Sequence, residues 1–163
     1  MKVENFMVRD VKFCNPNNNL AEVVEIMWNG GCGTLPVLND SGQLWSMITD
    51  RDICIALGTR NLRASEVHVS DVAAPRYFAC AADDDIYTAL KTMAAQEVRR
   101  LPVVDDEHKL VGILSIDDVI LHAKAGSEIN FDSKRTLDAG LITTLKAICM
   151  HHGHGQAAMA TVG

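Results

Sequence analysis

Two short stretches carry the residues best suited to chemistry. "SMITDRD" runs from Ser46 to Asp52 and "GILSIDD" from Gly112 to Asp118. Each places a hydroxyl (Thr49, Ser115) three residues before an acid (Asp52, Asp118). That spacing is about one helical turn, so the two groups share a face at the start of a helix. Two kinds of chemistry fit. One is a capping box, in which hydroxyl and acid exchange backbone N–H bonds, although such boxes favour Glu or Gln because Asp is one methylene shorter. The other is a ligand carrying phosphate and a diol. A helix N-terminus offers N–H groups and partial positive charge to phosphate, the hydroxyl can donate, and an ionised aspartate can accept two diol hydroxyls.

Cations that a phosphate would want are unevenly placed. Arg99 and Arg100 precede the second stretch, where the first has Gly33 and Thr34. Arg51 lies inside the first motif, where the second has Asp117. The better-equipped site is therefore expected around Ser115 and Asp118. Adjacent residues point different ways, so at most one of Arg99 and Arg100 is expected to reach a ligand.

The elements that must position these residues are written twice. "LPVLNDSGQLWSMITDRDI" (35–53) aligns without a gap on "LPVVDDEHKLVGILSIDDV" (101–119), at an offset of 66. Upstream, "NNNLAEVVEIMWNGG" matches "DDDIYTALKTMAAQE" in the same register. "RDV" at 9–11 echoes "SDV" at 70–72 at an offset of 61, so about five extra residues are expected near "AAPRY". Leu20, Val23, Val24 and Met27 recur at helical spacing behind the polar run Asn17 to Asn19, and Ile86, Ala89, Leu90 and Met93 behind Asp83 to Asp85. "TLPVL" with "LWSMI", and "RLPVV" with "LVGIL", read as hairpins turned by "NDSG" and "DDEH". The helix after Asp50 carries Ile53, Cys54 and Leu57. The predicted class is α/β (α+β): two βαββα repeats, each led by a short extended segment ("VKFC", "YFACA"), sharing a core about a pseudo-two-fold axis. A unit of this size is marginal alone. The division is 1–66, 67–123, and a C-terminal helical extension over 124–163.

Composition narrows the classes of function. Aromatics are only 5%, so the core is aliphatic. A net charge of -6 argues against a nucleic-acid partner. No apolar run approaches the roughly 18 to 20 residues that span a bilayer, and "MKVENFMVRD" is too charged for a secretory leader. Five scattered cysteines read as reduced thiols, so a cytoplasmic protein is expected. No nucleophile–base pair lies in the repeats, and no enzyme is expected.

These motifs resemble a tandem pair of cystathionine-β-synthase (CBS) domains, a Bateman module. The likeness covers about residues 6 to 123. It implies a regulatory module that binds adenosine-containing ligands (AMP, ADP, ATP, S-adenosylmethionine) in clefts between the repeats, dimerises, and controls a separate protein. There is no catalytic cofactor in this reading; an adenine nucleotide is the regulatory ligand. By resemblance, Thr49, Asp52, Ser115 and Asp118 are the ribose and phosphate contacts, with Arg51, Arg99 and Arg100 as nearby cations. Adenine would lie on Phe13, Cys14 and Asn15 in one copy and on Phe78, Ala79 and Cys80 in the other. The family usually has Gly where Ser46 stands, so Trp45 and Ser46 are expected to narrow the first site. An AMP-sized ligand of roughly 23 heavy atoms at about -0.3 kcal/mol each would bind on the order of 10 µM.

Other features have plainer readings. Trp28 and Trp45 are expected to pack, and Cys14 and Cys80 to be structural. "SKRTLDAGLITTLKAICMHHGHG" places Leu137, Leu141, Leu145 and Ile148 at helical spacing, with Ser133 as a possible cap. This helix is expected to pack on the repeats or on a second chain. Cys149, His151, His152 and His154 are donor types for Zn or Ni, at a spacing that fits no compact site, so no metal is expected. The alternative to a nucleotide sensor is a dimeric interaction module with vestigial sites, holding its partner through the C-terminal helix.

Overall fold

The computed structural model describes residues 1–124 and 131–151, with side chains over 1–122 and 138–148. The fold is mixed α/β. The first repeat forms α1 (Leu20–Gly30), β1 (Thr34–Leu38), β2 (Leu44–Thr49) and α2 (Asp50–Arg60). The second forms β3 (Cys80–Ala81), α3 (Ile86–Gln96), β4 (Arg100–Val104), β5 (Leu110–Ser115) and α4 (Ile116–Lys124); α5 (Phe131–His151) follows.

The polar runs cap the helices that follow them. Asn19 accepts the Glu22 N–H while the Glu22 carboxylate takes the Asn19 N–H, and Asp85 accepts the Tyr87 N–H at 2.9 Å. β1 and β2 are antiparallel, with Thr34 opposite Thr49 and Val37 opposite Ser46. Cys14 adds a parallel bridge to Val37, so the first repeat's leading strand is a single residue pair. The other sheet runs β3-β4-β5.

The chain forms two compact units. One comprises Asp10–Tyr77 with Val104–Val111; the other comprises Met1–Arg9, Phe78–Val103 and the chain from Gly112 onward. In the first, Leu20, Val23 and Met27 of α1 pack with Leu35, Val37 and Ile48 of the hairpin. Val69 is fully buried there, starting a 3-10 turn over Val69–Asp71. Its N–H donates to Asn18, and the Leu20 N–H donates to Val67. In the second unit Val3 is fully buried and starts the turn Val3–Asn5. Its N–H donates to Asp84, and the Ile86 N–H donates to Met1. Every partner is shifted by 66 residues between the units. The insertion expected near "AAPRY" is therefore absent, and the register holds back to Met1. The "RDV"/"SDV" echo aligned the wrong residues because it matched letters without the buried valine.

In the second unit α5 packs on α3. Thr144 Oγ1 donates to the carbonyls of Gly140 (2.9 Å) and Leu90 (3.2 Å), and Leu141, Thr144 and Ile148 are buried. Leu145 is half-buried, and the Leu137 side chain lies outside those described. The helix starts at Phe131, so Ser133 is inside it rather than its cap. His152 and His154 lie outside the described residues, as do the side chains of Cys149 and His151. Among the described residues no cluster of metal donors forms, and no helix is long and apolar enough to cross a membrane.

Candidate functional site

Each hydroxyl–acid pair ends a strand and begins a helix. In the first unit, Thr49 is the last residue of β2 and the N-cap of α2. Its hydroxyl donates to Asp52 Oδ2 at 2.6 Å and accepts the Asp52 N–H at 3.2 Å, while the Thr49 N–H donates to Asp52 Oδ2 at 3.0 Å. In the second unit, Ser115 and Asp118 repeat the set at 2.6, 3.2 and 2.8 Å. Asp thus closes both boxes despite its shorter side chain. The objection to a capping box fails because the β-region backbone of the cap brings its N–H to the carboxylate. In both boxes one carboxylate oxygen, Oδ2, takes the hydroxyl and the backbone N–H. The lone pairs of Oδ1 are left to accept from a ligand's hydroxyls.

The surroundings of the boxes differ. The Ile116 N–H donates to the Arg99 carbonyl at 3.0 Å, which fixes Arg99 beside the start of α4 with its side chain exposed. Arg100 lies 3.9 Å from Asp117 in an exposed ion pair, an interaction of little strength. In the first unit, the Asp50 N–H makes the matching bond to Gly33 at 3.0 Å. A Cβ on Gly33 would stand 2.7 Å from Asp50 Oδ2. The exposed Asp50 side chain therefore folds over the position that Arg99 takes in the second unit. Arg51 is exposed at the first turn of α2.

The extended segments are anchored as well. Cys14 is opposite Val37 and Thr49 is opposite Thr34, three residues away along β1. At the strand rise that is about 10 Å, a distance a mononucleotide can bridge. Phe13 and Phe78 are half exposed, at 48% and 47%, which leaves much of each ring uncovered. Ala79 is partly buried. The Asn15 side chain donates to the Leu38 carbonyl at 2.8 Å, so its amide is engaged in holding the segment. Cys14 and Cys80 are buried, and desolvation pushes both thiols up to about 12, with the nearby Asp84 carboxylate adding to the effect at Cys80. Their role is packing.

Ser46 has a role that sequence reasoning missed. It is 2% exposed, and its hydroxyl donates to the Ala74 carbonyl at 2.6 Å. At the matching place in the second unit, Gly112 lets Val8 approach the strand directly, and Val8 and Ile113 exchange both backbone bonds at 2.9 Å. The serine thus replaces a strand pairing with a side-chain latch on the Ala74 backbone. The signal for it was the glycine, Gly112, at the matching position of the other repeat. Trp45 is partly buried against the first unit's core, as expected. Trp28 is not packed: it is 84% exposed. Cys54 is also exposed, where the apolar face of the helix had been expected.

The family model described as CBS domain matches residues 3–59 and 69–124, more than half of the chain. The chain belongs to the CBS-domain family. This CBS pair is 31% identical over 124 residues to the inosine-5'-monophosphate dehydrogenase of Methanocaldococcus jannaschii, covering 76% of this chain but only 24% of that enzyme. The likeness is thus to a CBS-sized portion of the enzyme. The crystal structure of the Hypoxic Response Protein I of Mycobacterium tuberculosis, with two coordinated zinc ions, is 29% identical with a TM-score of 0.68, over 75% of this chain and 98% of that one. CBSX2 of Arabidopsis thaliana, solved in complex with AMP, is 25% identical with a TM-score of 0.65, over 75% and 95%.

Proposed function

We propose that this CBS pair is a regulatory, non-enzymatic module of the cytoplasm. In this reading it binds an adenosine nucleotide at its hydroxyl–acid boxes, forms a homodimer, and controls a separate protein. The observation that carries the reading is the doubled box itself, with one carboxylate oxygen of Asp52 and of Asp118 facing away from the cap. CBSX2, a relative of the same fold, takes AMP. Asp118 accepts the ribose hydroxyls through Oδ1, Arg99 or Arg100 neutralises phosphate, and Phe78, Ala79 and Cys80 flank the base. The first copy offers Thr49, Asp52, Arg51, Phe13, Cys14 and Asn15. It binds more weakly, because Asp50 adds negative charge where the second copy has Arg99.

Isothermal titration with AMP, ADP, ATP and S-adenosylmethionine tests this. At least one ligand is expected to bind on the order of 10 µM, and Asp118→Ala to weaken it about tenfold or more. That substitution also removes a cap, at about 1 kcal/mol, so its melting curve is run alongside. Arg99→Ala, which touches no cap, is expected to weaken AMP without changing the melt. Absence of heat with all four ligands would overturn the reading. It would favour the interaction module, which has one observation on its side: both hydroxyl protons are already engaged by Asp52 and Asp118.

A further inference from the structure

The two hydroxyl–acid boxes share a backbone but not a charge. The Asp50 N–H donates to the Gly33 carbonyl and the Ile116 N–H to the Arg99 carbonyl, both at 3.0 Å. The side chains on that common frame differ. At an offset of 66, Gly33 stands for Arg99, Thr34 for Arg100, Asp50 for Ile116 and Arg51 for Asp117. Ile116 is 3% exposed and brings no charge to the second box. Asp50 is exposed, and its Oδ2 lies 2.7 Å from where a Cβ on residue 33 would stand. A carboxylate therefore occupies the place from which the Arg99 side chain starts in the other copy. Its Oδ1 accepts the Arg51 N–H at 2.7 Å, which holds the group there. Arg51 does not cancel this charge, because successive side chains on a helix diverge by about 100°.

We infer that the two boxes sort adenosyl ligands by charge, and that Asp50 sets the difference. The second takes the phosphorylated ligand, and the first takes an adenosyl group without phosphate, neutral or cationic. The inference rests on the nucleotide reading above and adds the class of ligand for each box. Both boxes keep what a ribose needs. Asp52 and Asp118 bond within their caps through Oδ2, which leaves Oδ1 of each to accept ribose hydroxyls. What differs is the charge met by the group beyond the ribose. Beside the second box stand Arg99 and Arg100, the latter 3.9 Å from Asp117. Beside the first, a phosphate meets the Asp50 carboxylate. Like charges repel there, whereas a sulfonium or an ammonium is attracted. One chain then holds two adenosyl ligands of different charge, and Asp50 is the residue that selects between them.

Isothermal titration of the full chain with adenosine, S-adenosylmethionine and AMP tests it. Asp118→Asn leaves the first copy to be read alone, and Asp52→Asn the second; asparagine keeps a carbonyl oxygen for each cap. The Asp118→Asn chain is expected to bind adenosine and S-adenosylmethionine about tenfold more tightly than AMP, or better. The Asp52→Asn chain is expected to show the opposite order. Adding Asp50→Asn to the Asp118→Asn chain is expected to narrow its preference about tenfold. Gly33→Arg, which puts a cation where Arg99 stands, is expected to reverse it; the exposed Asp50 carboxylate can swing away from the new Cβ. Because these charges are exposed, the preference is expected to shrink as salt is raised. An Asp118→Asn chain that prefers AMP, or binds none of the three, overturns the inference and leaves the nucleotide reading to the second copy. A preference that neither Asp50→Asn nor Gly33→Arg moves also overturns it. Absence of heat in both single-copy chains and in the wild type overturns the nucleotide reading as well.

Discussion

At the scale of single residues, the two cysteines of the extended segments make a sharp contrast with Cys54. Cys14 and Cys80 hold their thiols protonated to about pH 12, through burial, whereas Cys54 is exposed. Thiolate is the reactive form, so alkylation at pH 8 followed by peptide mapping is expected to mark Cys54 in the native protein. Cys14 and Cys80 are expected to react only in denaturant. The same shift sets a dependence on pH. The unfolded chain ionises these thiols near 9.0 and the folded chain does so only near 12. The folded state therefore holds more protons between those values, and stability falls as pH rises through that window. Urea midpoints measured at pH 8 and at pH 10 to 11 check the sign; a rise would show that these sulfurs are not buried.

At the scale of elements, the strands accept the lead segments by two different devices, and one is testable by adding a single methyl group. A Cβ on Gly112 would lie 2.8 Å from Met7 Sδ and 3.0 Å from the Val8 carbonyl oxygen. The sulfur can move but the carbonyl belongs to the Val8–Ile113 bridge. Gly112→Ala is therefore expected to cost about 1–3 kcal/mol, read as a lower urea midpoint. Much of this architecture was legible beforehand. Apolar spacing gave α1 and α3, polar runs gave their caps, and the Pro-containing pairs gave both hairpins. What was not legible depended on contacts between distant positions. Nothing local to "SMITDRD" says that the Ser46 hydroxyl reaches Ala74. Nothing local to Gly33 says that Asp50 lies over it. Trp28 stands at the end of α1, where it was expected to pack as a large aromatic, yet it lies off the buried face of Leu20, Val23 and Met27. The hydroxyl–acid pairs were legible as caps or as contacts for a ligand. Their bonds establish the cap and leave an oxygen for the second role.

At the scale of the whole molecule, a ligand that binds only the folded chain stabilises it by mass action. For a dissociation constant on the order of 10 µM, about 1 mM nucleotide is a hundredfold excess and contributes about 2.7 kcal/mol. For a protein of this size that is a rise of several degrees in melting temperature. Scanning calorimetry with and without 1 mM AMP is expected to show it, and to lose most of it in Asp118→Ala. Equal melting temperatures for the wild type with and without AMP, ADP, ATP or S-adenosylmethionine would count against a nucleotide role.

The exchanged lead segments also bear on how the chain is made. Val3 and Phe6 are buried in a unit whose helix α3 is translated some eighty residues later, and Val8 waits for Ile113. The other unit also takes in Val104–Val111, but its buried core does not draw on them. The core that takes Val3 and Phe6 cannot close until α3 and Ile113 are made, whereas the core of the other unit runs only from Cys14 to Val69; contacts as distant in sequence as Val8–Ile113 form slowly. Val3 and Phe6 therefore emerge as apolar side chains that have no seat yet. Chaperone occupancy on the growing chain belongs at Val3 and Phe6, well before either hydroxyl–acid box exists.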